Sequence, residues 1–230
     1  MGKQAEIERL INTGKKRLNQ QRYKQALECF LDAQKKDPEN PDARYFLGIT
    51  YTRMEDYTKA AQYLEELLHS ELNYINRVHT RMVLGYIYTI QENYQDALSM
   101  FRGVLEAGFQ SAQAYAAIGY IMDRMGNFKE AVMNLYRAIE LDPKNANAHN
   151  SLGYIFAERG INLEEALEEC KKALSADRNN PSYLDSVGWV YFKMGKYQQA
   201  RSYLNKALKL APHNQEIKEH LHALMNEHNS

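Results

Sequence analysis

The chain has 230 residues, of which 44% are hydrophobic and 25% charged, as in an ordinary globular protein. Its 29 lysines and arginines equal its 29 aspartates and glutamates, so the net charge does not favour binding to nucleic acid or to an acidic membrane surface. No apolar run approaches the roughly 20 residues that cross a bilayer, so direct membrane insertion is not expected.

One glycine and one alanine recur along the chain with a period near 34 residues. Consecutive glycines are 34, 37, 34, 34 and 35 residues apart, and the alanine follows after twelve residues, or thirteen in the fifth copy. The pairs are Gly14–Ala26, Gly48–Ala60, Gly85–Ala97, Gly119–Ala131, Gly153–Ala166 and Gly188–Ala200. This period predicts a helical solenoid in which each unit stacks on the next. We expect one domain over residues 1–230, with repeats at about 7–40, 41–74, 78–111, 112–145, 146–180 and 181–214.

The residue pattern predicts two helices in each repeat. In the first helix, apolar residues such as Leu84 and Tyr88 flank the glycine at steps that place them on one helix face. In the second helix, an aromatic residue or a leucine precedes the alanine, and a larger residue lies four positions after the alanine. These larger residues are Phe30, Leu64, Phe101, Leu135, Cys170 and Leu204. Because glycine and alanine are small, the two antiparallel helices can approach closely.

Prolines and asparagines mark the predicted helix ends. Pro38, Pro143 and Pro212 end second helices, since proline cannot continue a helix. Asn40-Pro41 and Asn180-Pro181 start first helices, with an N-cap followed by proline at the first helical position.

Two segments depart from the regular period. Extra residues around Glu71–Asn76 account for the 37-residue spacing and predict a longer helix or loop. Residues 214–228 predict a capping helix that covers the apolar end of the last repeat. Its apolar stripe consists of Ile217, Leu221, Leu224 and Met225.

These motifs resemble the tetratricopeptide repeat (TPR) family, whose pattern has Leu-Gly-x-x-Tyr in helix A, Ala and Phe or Leu in helix B, and a closing proline. The resemblance covers residues 7–214, and the run from Tyr183 to Leu208 looks most like bacterial members. The sequence departs from the pattern at Thr13, Arg17, Leu72, Phe109 and Arg178. The resemblance implies an all-α fold, a right-handed α-α superhelix with a C-terminal capping helix, and a concave groove that holds a partner peptide or helix.

The resemblance also implies which helix A positions face the groove. They carry aromatic, amide, hydroxyl and charged groups that suit an extended peptide. These partner-binding residues are Tyr45, Ile49, Thr52, Arg53, Met82, Tyr86, Thr89, Tyr120, Asp123, Arg124, Asn147, Asn150, Tyr154, Asp185, Trp189 and Phe192. The aromatic ladder Tyr86, Tyr120, Tyr154 and Trp189 has two interpretations. It contacts the partner, with Trp189 as the main contact, or it packs between neighbouring A helices.

The sequence offers no pattern typical of catalysis or metal binding. It lacks the phosphate-loop, dinucleotide, His-Glu-x-x-His and paired Cys-x-x-Cys motifs. The acidic pairs Glu65-Glu66, Glu164-Glu165 and Glu168-Glu169 fall on second helices, mostly on outer faces that water solvates. His213, His220, His222 and His228 cluster in the cap without the spacing of a compact ligand set. We therefore expect no enzyme activity, no cofactor and no metal.

Three further features bear on partners and location. Basic runs such as Lys171-Lys172 are matched by nearby acidic residues and form no stripe, so nucleic acid is not an expected partner. Met1–Glu6 has no apolar signal core, which favours a cytoplasmic protein, although removal of an export signal from a periplasmic protein would leave the same sequence. Cys29 and Cys170 lie in distant repeats and are expected to be buried free thiols.

The function that these features favour is a non-enzymatic scaffold or adaptor that binds a partner peptide or helix in the groove, centred on repeats 3–6. An alternative is self-association through the terminal repeats, because only Gly2–Glu6 precede the first repeat and leave its first helix poorly capped. A third hypothesis is the targeting half of a separate enzyme, which would then supply the chemistry.

Overall fold

A computed structural model describes residues 2–68 and 74–227, apart from the side chains at positions 74 and 75. Within these residues the chain forms thirteen α-helices and no strand, which confirms the predicted all-α fold. Residues 71–73 of the predicted irregular segment and His228 of the predicted cap lie outside the described residues.

The chain divides into two compact units, Met1–Phe109 and Gln110–Ser230. The first unit contains six described helices, α1 to α6: Lys3–Asn19, Tyr23–Lys36, Pro41–Arg53, Tyr57–Leu68, Tyr74–Ile90 and Tyr94–Glu106. The second contains seven, α7 to α13: Ala112–Arg124, Phe128–Leu141, Ala146–Arg159, Leu163–Ala176, Pro181–Lys193, Tyr197–Leu210 and Gln215–Glu227. Odd-numbered helices from α1 to α11 are the A helices of the repeats, and even-numbered helices are the B helices.

The recurring glycines lie where an A helix contacts its own B helix. A Cβ atom built on Gly48 would lie 2.5 Å from Cγ of Leu64, and one on Gly119 would lie 2.6 Å from Cγ of Leu135. These distances are too short for real carbon atoms, so any larger residue would push the two helices apart. The predicted close approach of the helices is confirmed, and the larger residue after each alanine is what fills the space beside each glycine.

The helix starts follow the predicted caps. The side-chain oxygen of Asn40 accepts a hydrogen bond from the amide of Ala43 at 3.0 Å, and that of Asn180 accepts from the amide of Tyr183 at 3.3 Å. Each bond satisfies an amide that has no partner within its helix. The capping role predicted for both asparagines is therefore confirmed.

Helix α5 is longer than the A helices α3, α7, α9 and α11. It has 17 residues and begins at Tyr74, four residues before the predicted start of the third repeat at Val78, whereas α7 has 13 residues. Part of the extra length between repeats 2 and 3 is thus helical.

The capping helix α13 packs on α12 and α11. Ile217, Leu221 and Leu224 are buried, as predicted. Met225 is 51% exposed, so its predicted place in the apolar stripe is wrong. One position after Leu224, its side chain is rotated about 100° away from the buried face.

Candidate functional site

The A helices of the second unit and the capping helix α13 form one continuous layer, because α7 contacts α9, α9 contacts α11, and α11 contacts α13. These four helices, with Asn214 directly before α13, enclose a cavity of about 230 Å³. Six of the predicted partner-binding residues line it: Tyr120, Asp123, Arg124, Asn150, Tyr154 and Asp185. We call this the A-helix cavity.

The wall formed by α7 offers both an aromatic ring and charge. The side chain of Tyr120 is 42% exposed, and Arg124 is also exposed. Asp123 lies 3.0 Å from the guanidinium of Arg159, which in turn lies 4.5 Å from the ring centre of Phe128. This wall therefore presents an accessible tyrosine ring beside a carboxylate whose charge is balanced by an arginine.

The wall formed by α9 contains an unsatisfied acceptor. Oδ1 of Asn150 is buried and has no hydrogen-bond partner among the residues that the structure describes. Because a buried acceptor without a partner costs free energy, this oxygen is suited to accept a hydrogen bond from a bound group.

Tyr154, also on α9, is partly buried and already has a partner in the cap. Its hydroxyl donates to Oε1 of Glu216 at 2.8 Å. Burial, and then the negative charge of Glu216, raise the pKa of Tyr154 well above its usual range. The phenol therefore stays neutral at neutral pH and ties α9 to α13.

Two predicted contacts on α11 are covered by the chain itself. Trp189 is 9% exposed and Asp185 is 4% exposed. The ring of Trp189 stacks on His220 at 4.0 Å between centroids and on Phe192 at 4.8 Å, and its Nε1 donates to Glu158. The sequence leaves open whether Trp189 contacts a partner or packs between helices, and in the structure α13 lies over its ring.

Asp185 is held by the same histidine. Nδ1 of His220 lies 3.0 Å from both carboxylate oxygens of Asp185. Burial raises the pKa of Asp185, and the hydrogen bond with His220 offsets part of that rise. Asp185 thus borders the A-helix cavity, but its carboxylate is hydrogen-bonded to His220 of α13.

Two other predicted residues of the second unit lie outside the cavity lining. Asn147 is exposed and accepts a hydrogen bond from the hydroxyl of Tyr183 at 2.6 Å. Phe192 is partly buried between Trp189 and Tyr197, with ring centres 4.8 and 6.0 Å away. The amide of Asn147 and the ring of Phe192 therefore contact other residues of the same unit.

The remaining predicted residues belong to the first unit. Tyr86 is 52% exposed and Arg53 is exposed, whereas Tyr45, Ile49 and Met82 are partly buried. The hydroxyls of Thr52 and Thr89 donate to carbonyl oxygens of their own helices, at 2.8 and 2.7 Å. Tyr86 is therefore the aromatic ring of this set that the first unit leaves most accessible.

Sequence reasoning missed a buried polar cluster in the fifth repeat. Glu169, one of the acidic residues assigned mostly to outer faces, is 8% exposed, so that assignment is wrong for this position. Its carboxylate bonds to Nδ1 of His149, itself 4% exposed, and to Nζ of Lys172 at 2.7 Å. Burial alone would raise the pKa of Glu169, but the bonds from Lys172 and His149 lower it below its ordinary value.

Other sequence predictions can be compared with the described residues. Both cysteines are free and buried, as predicted. Over residues 2–68 and 74–227, no group of three or more His, Cys, Asp or Glu side chains is arranged to hold a metal ion. Within the same residues, no helix has the length and hydropathy of a membrane span.

Comparison with known proteins relates the repeats to one family. Sequence models of the tetratricopeptide repeat match residues 12–72 and 181–214, and a TPR repeat model matches residues 124–160. A stretch of 65 residues, 28% of this chain, is 37% identical to the TPR repeat-containing protein PA4667 of Pseudomonas aeruginosa. The stretch covers 11% of that protein.

Solved structures of low sequence identity share the fold. A chain in the APC/C hetero-tetramer Cut9-Hcn1 aligns with 94% of this chain at a TM-score of 0.80 and 14% identity, and this chain spans 42% of its length. PilW, a widely conserved type IV pilus biogenesis factor, aligns over 94% of this chain and 98% of its own at a TM-score of 0.75 and 20% identity. At these identities the likeness establishes the helical-repeat fold and no more.

Proposed function

Because the chain belongs to the tetratricopeptide repeat family, we propose that it is a protein-interaction scaffold whose second unit binds a partner peptide in the A-helix cavity. Helical-repeat proteins use such extended surfaces to hold other polypeptides. The single observation that carries this proposal is a cavity of about 230 Å³ that joins an exposed tyrosine ring to a buried acceptor without a partner.

Each wall of the cavity has a distinct role in the proposal. The ring of Tyr120 packs against an apolar side chain of the peptide, since tyrosine supplies contact area at low entropic cost. Oδ1 of Asn150 on α9 accepts a hydrogen bond from a peptide amide, which gives this buried acceptor the partner that it lacks among the described residues. Trp189 acts indirectly, because it holds α13 in place and α13 forms the far wall of the cavity.

A volume of this size accommodates only a short stretch of peptide. Ligand pockets for small molecules usually measure about 300–1,000 Å³, so this cavity takes one or two side chains rather than a whole helix. We therefore propose an extended segment that inserts one anchoring side chain, with the rest of the partner lying along the A helices.

Alanine variants of two matched tyrosines test the proposal. Tyr120 is 42% exposed on α7, and Tyr136 is 45% exposed on the B helix α8, away from the cavity lining. Proteins captured by the wild-type chain from cells of its native organism are identified by mass spectrometry, and the same capture is repeated with each variant. We expect Tyr120→Ala to lose the specific partner and Tyr136→Ala to keep it. Equal capture by both variants would contradict the proposal.

Self-association through the terminal repeats stays a prediction. All four large apolar side chains of α1 (Ile7, Leu10, Ile11 and Leu18) are buried or partly buried. Sedimentation of the chain over a range of concentrations separates the two functions, since a concentration-independent monomer contradicts self-association and is compatible with peptide binding.

A further inference from the structure

A second cleft lies on the B-helix side of the second unit and shares no lining residue with the A-helix cavity. It measures about 600 Å³ and is formed by α10, the connection to α11, the start of α11, and α12. Its apolar floor consists of Leu174, Leu184, Tyr203 and Leu210. Leu210 is 49% exposed, so the floor is open to solvent at the end of α12.

Four cations surround this floor, and none of the described residues that line it is acidic. They are Lys171 on α10, Arg178 in the connection, and Lys206 and Lys209 on α12. All four are exposed, and within the described residues none has a carboxylate within 4.0 Å. In a chain whose charges balance overall, four cations without an ion pair within the described residues thus surround one apolar cleft.

The sequence predicts that acidic neighbours match the Lys171-Lys172 pair, and for one of the two this is wrong. Lys172 pairs with Glu168 at 2.9 Å and with Glu169 at 2.7 Å. Lys171 projects to the other side of the helix, where its Nζ lies 5.6 Å from the ring centre of Tyr191. Successive helical residues point about 100° apart, which separates the paired lysine from the unpaired one.

Two of the cations are positioned by aromatic rings. Nζ of Lys206 lies 5.4 Å from the ring centre of Tyr203, and Tyr203 stacks on Tyr191 at 5.6 Å. The stacked tyrosines therefore hold Lys171 and Lys206 by cation–π contacts from α10 and α12. These contacts orient the ammonium groups while leaving their hydrogen bonds available to an anion.

We propose that this cleft docks an acidic peptide segment with a leucine-like side chain, at a site separate from the proposed peptide site of the A helices. The carboxylates pair with Lys171, Arg178, Lys206 and Lys209, and the apolar side chain lies on the floor beside Leu210. Opposite charges around an apolar centre give both rapid association and a defined position. The cleft shares no lining residue with the A-helix cavity, so one chain can hold two partners at once.

The experiment uses the full chain and a fluorescein-labelled peptide of alternating Glu-Glu-Leu triplets, with binding followed by fluorescence polarisation. We expect binding that weakens as salt increases, and a loss of affinity of about tenfold or more in the double variant Lys171→Glu/Lys206→Glu. The control variant Lys129→Glu/Lys218→Glu changes the net charge equally at exposed lysines outside the cleft, and we expect its affinity to stay within about twofold. Equal weakening by the control would overturn the proposal.

Two further probes separate the acidic peptide from other anions. A peptide in which serine replaces each leucine tests the apolar floor, and we expect it to bind several-fold more weakly. A single-stranded oligonucleotide of equal charge tests a general anion surface, and we expect it to compete poorly. Equal binding of the serine peptide, effective competition by the oligonucleotide, or no binding of the leucine peptide to the wild-type chain would each overturn the proposal.

Circular dichroism of each variant shows whether it is folded. If the charge reversal unfolds the chain, the variant Lys171→Gln/Lys206→Gln removes the same charges without introducing repulsion. We then expect this variant to bind the leucine peptide with about fivefold lower affinity, and unchanged affinity of the folded variant would overturn the proposal.

Discussion

Replacement of Trp189 tests the arrangement of the last repeat in the most quantitative way. The side chain is 9% exposed, so nearly all of its surface is removed from water by His220, Phe192 and their neighbours. An aromatic side chain buries about 150–250 Å², which at about 25 cal/mol per Å² corresponds to roughly 4–6 kcal/mol. Substitutions of buried Phe or Trp by Ala usually cost about 3–5 kcal/mol, and we expect Trp189→Ala to lower the free energy of unfolding by that amount.

Tyr120 is the matched control for this prediction. It occupies the same position of helix A in the fourth repeat, but it is 42% exposed, and we expect Tyr120→Ala to cost less than about 1 kcal/mol. Urea unfolding followed by far-ultraviolet circular dichroism measures both values, since Trp189→Ala removes the sole tryptophan of the chain. A cost below about 1 kcal/mol for Trp189→Ala, or equal costs for the two variants, would refute the placement of α13 over Trp189.

Three other predictions follow from particular contacts. Gly119→Ala should lower the free energy of unfolding by about 1–3 kcal/mol, because the added methyl group overpacks against Leu135. In the double variant, Leu135→Ala should relieve part of that strain. Additive losses in a double-mutant cycle would contradict the close contact. Because the pKa of Tyr154 is raised by burial and a neighbouring carboxylate, the folded chain keeps a proton that the unfolded chain loses near its usual pKa of about 10. Stability should therefore be complete below about pH 10 and fall above it, and Tyr154→Phe should reduce this fall in urea midpoints measured from about pH 8 to 11. Burial raises the pKa of the Cys170 thiol, so in a Cys29→Ser background it should not react with Ellman's reagent at about pH 8 until urea is added; rapid labelling of the folded chain would contradict its burial.

Local rules account for the elements that the sequence predicts correctly. Gly48 and Gly119 contact the larger residue of their own B helix, so each contact is set within one repeat and reappears at every period. The caps at Asn40 and Asn180 depend on amides two or three residues away. Such short-range relations can be read from residue types and spacing alone.

The sequence leaves a position open, or misassigns it, where the side chain meets a partner on another helix that the repeat motif does not specify. Trp189 is covered because α13, a helix that lacks the repeat motif, brings His220 over its ring. Glu169 is buried because His149, twenty residues earlier, satisfies its charge together with Lys172. A single sequence shows the residue types at these positions and not the partners that packing brings to them.

The sequence names some of the residues that line the A-helix cavity and misses others. Tyr120 and Asn150 belong to the set that the family resemblance implies, and both line it. The wall contributed by Glu216 was not predicted, because its role depends on a hydrogen bond from Tyr154, 62 residues earlier.

A photo-crosslinking phenylalanine placed at position 120, or at position 136 as the control, tests whether a partner peptide occupies the A-helix cavity. Irradiation in cells of the native organism, followed by mass spectrometry of the linked peptides, identifies what lies within reach of each side chain. We expect position 120 to link to one short segment of a partner protein and position 136 not to link to it. Crosslinks to the same segment from both positions, or from position 136 alone, would contradict it.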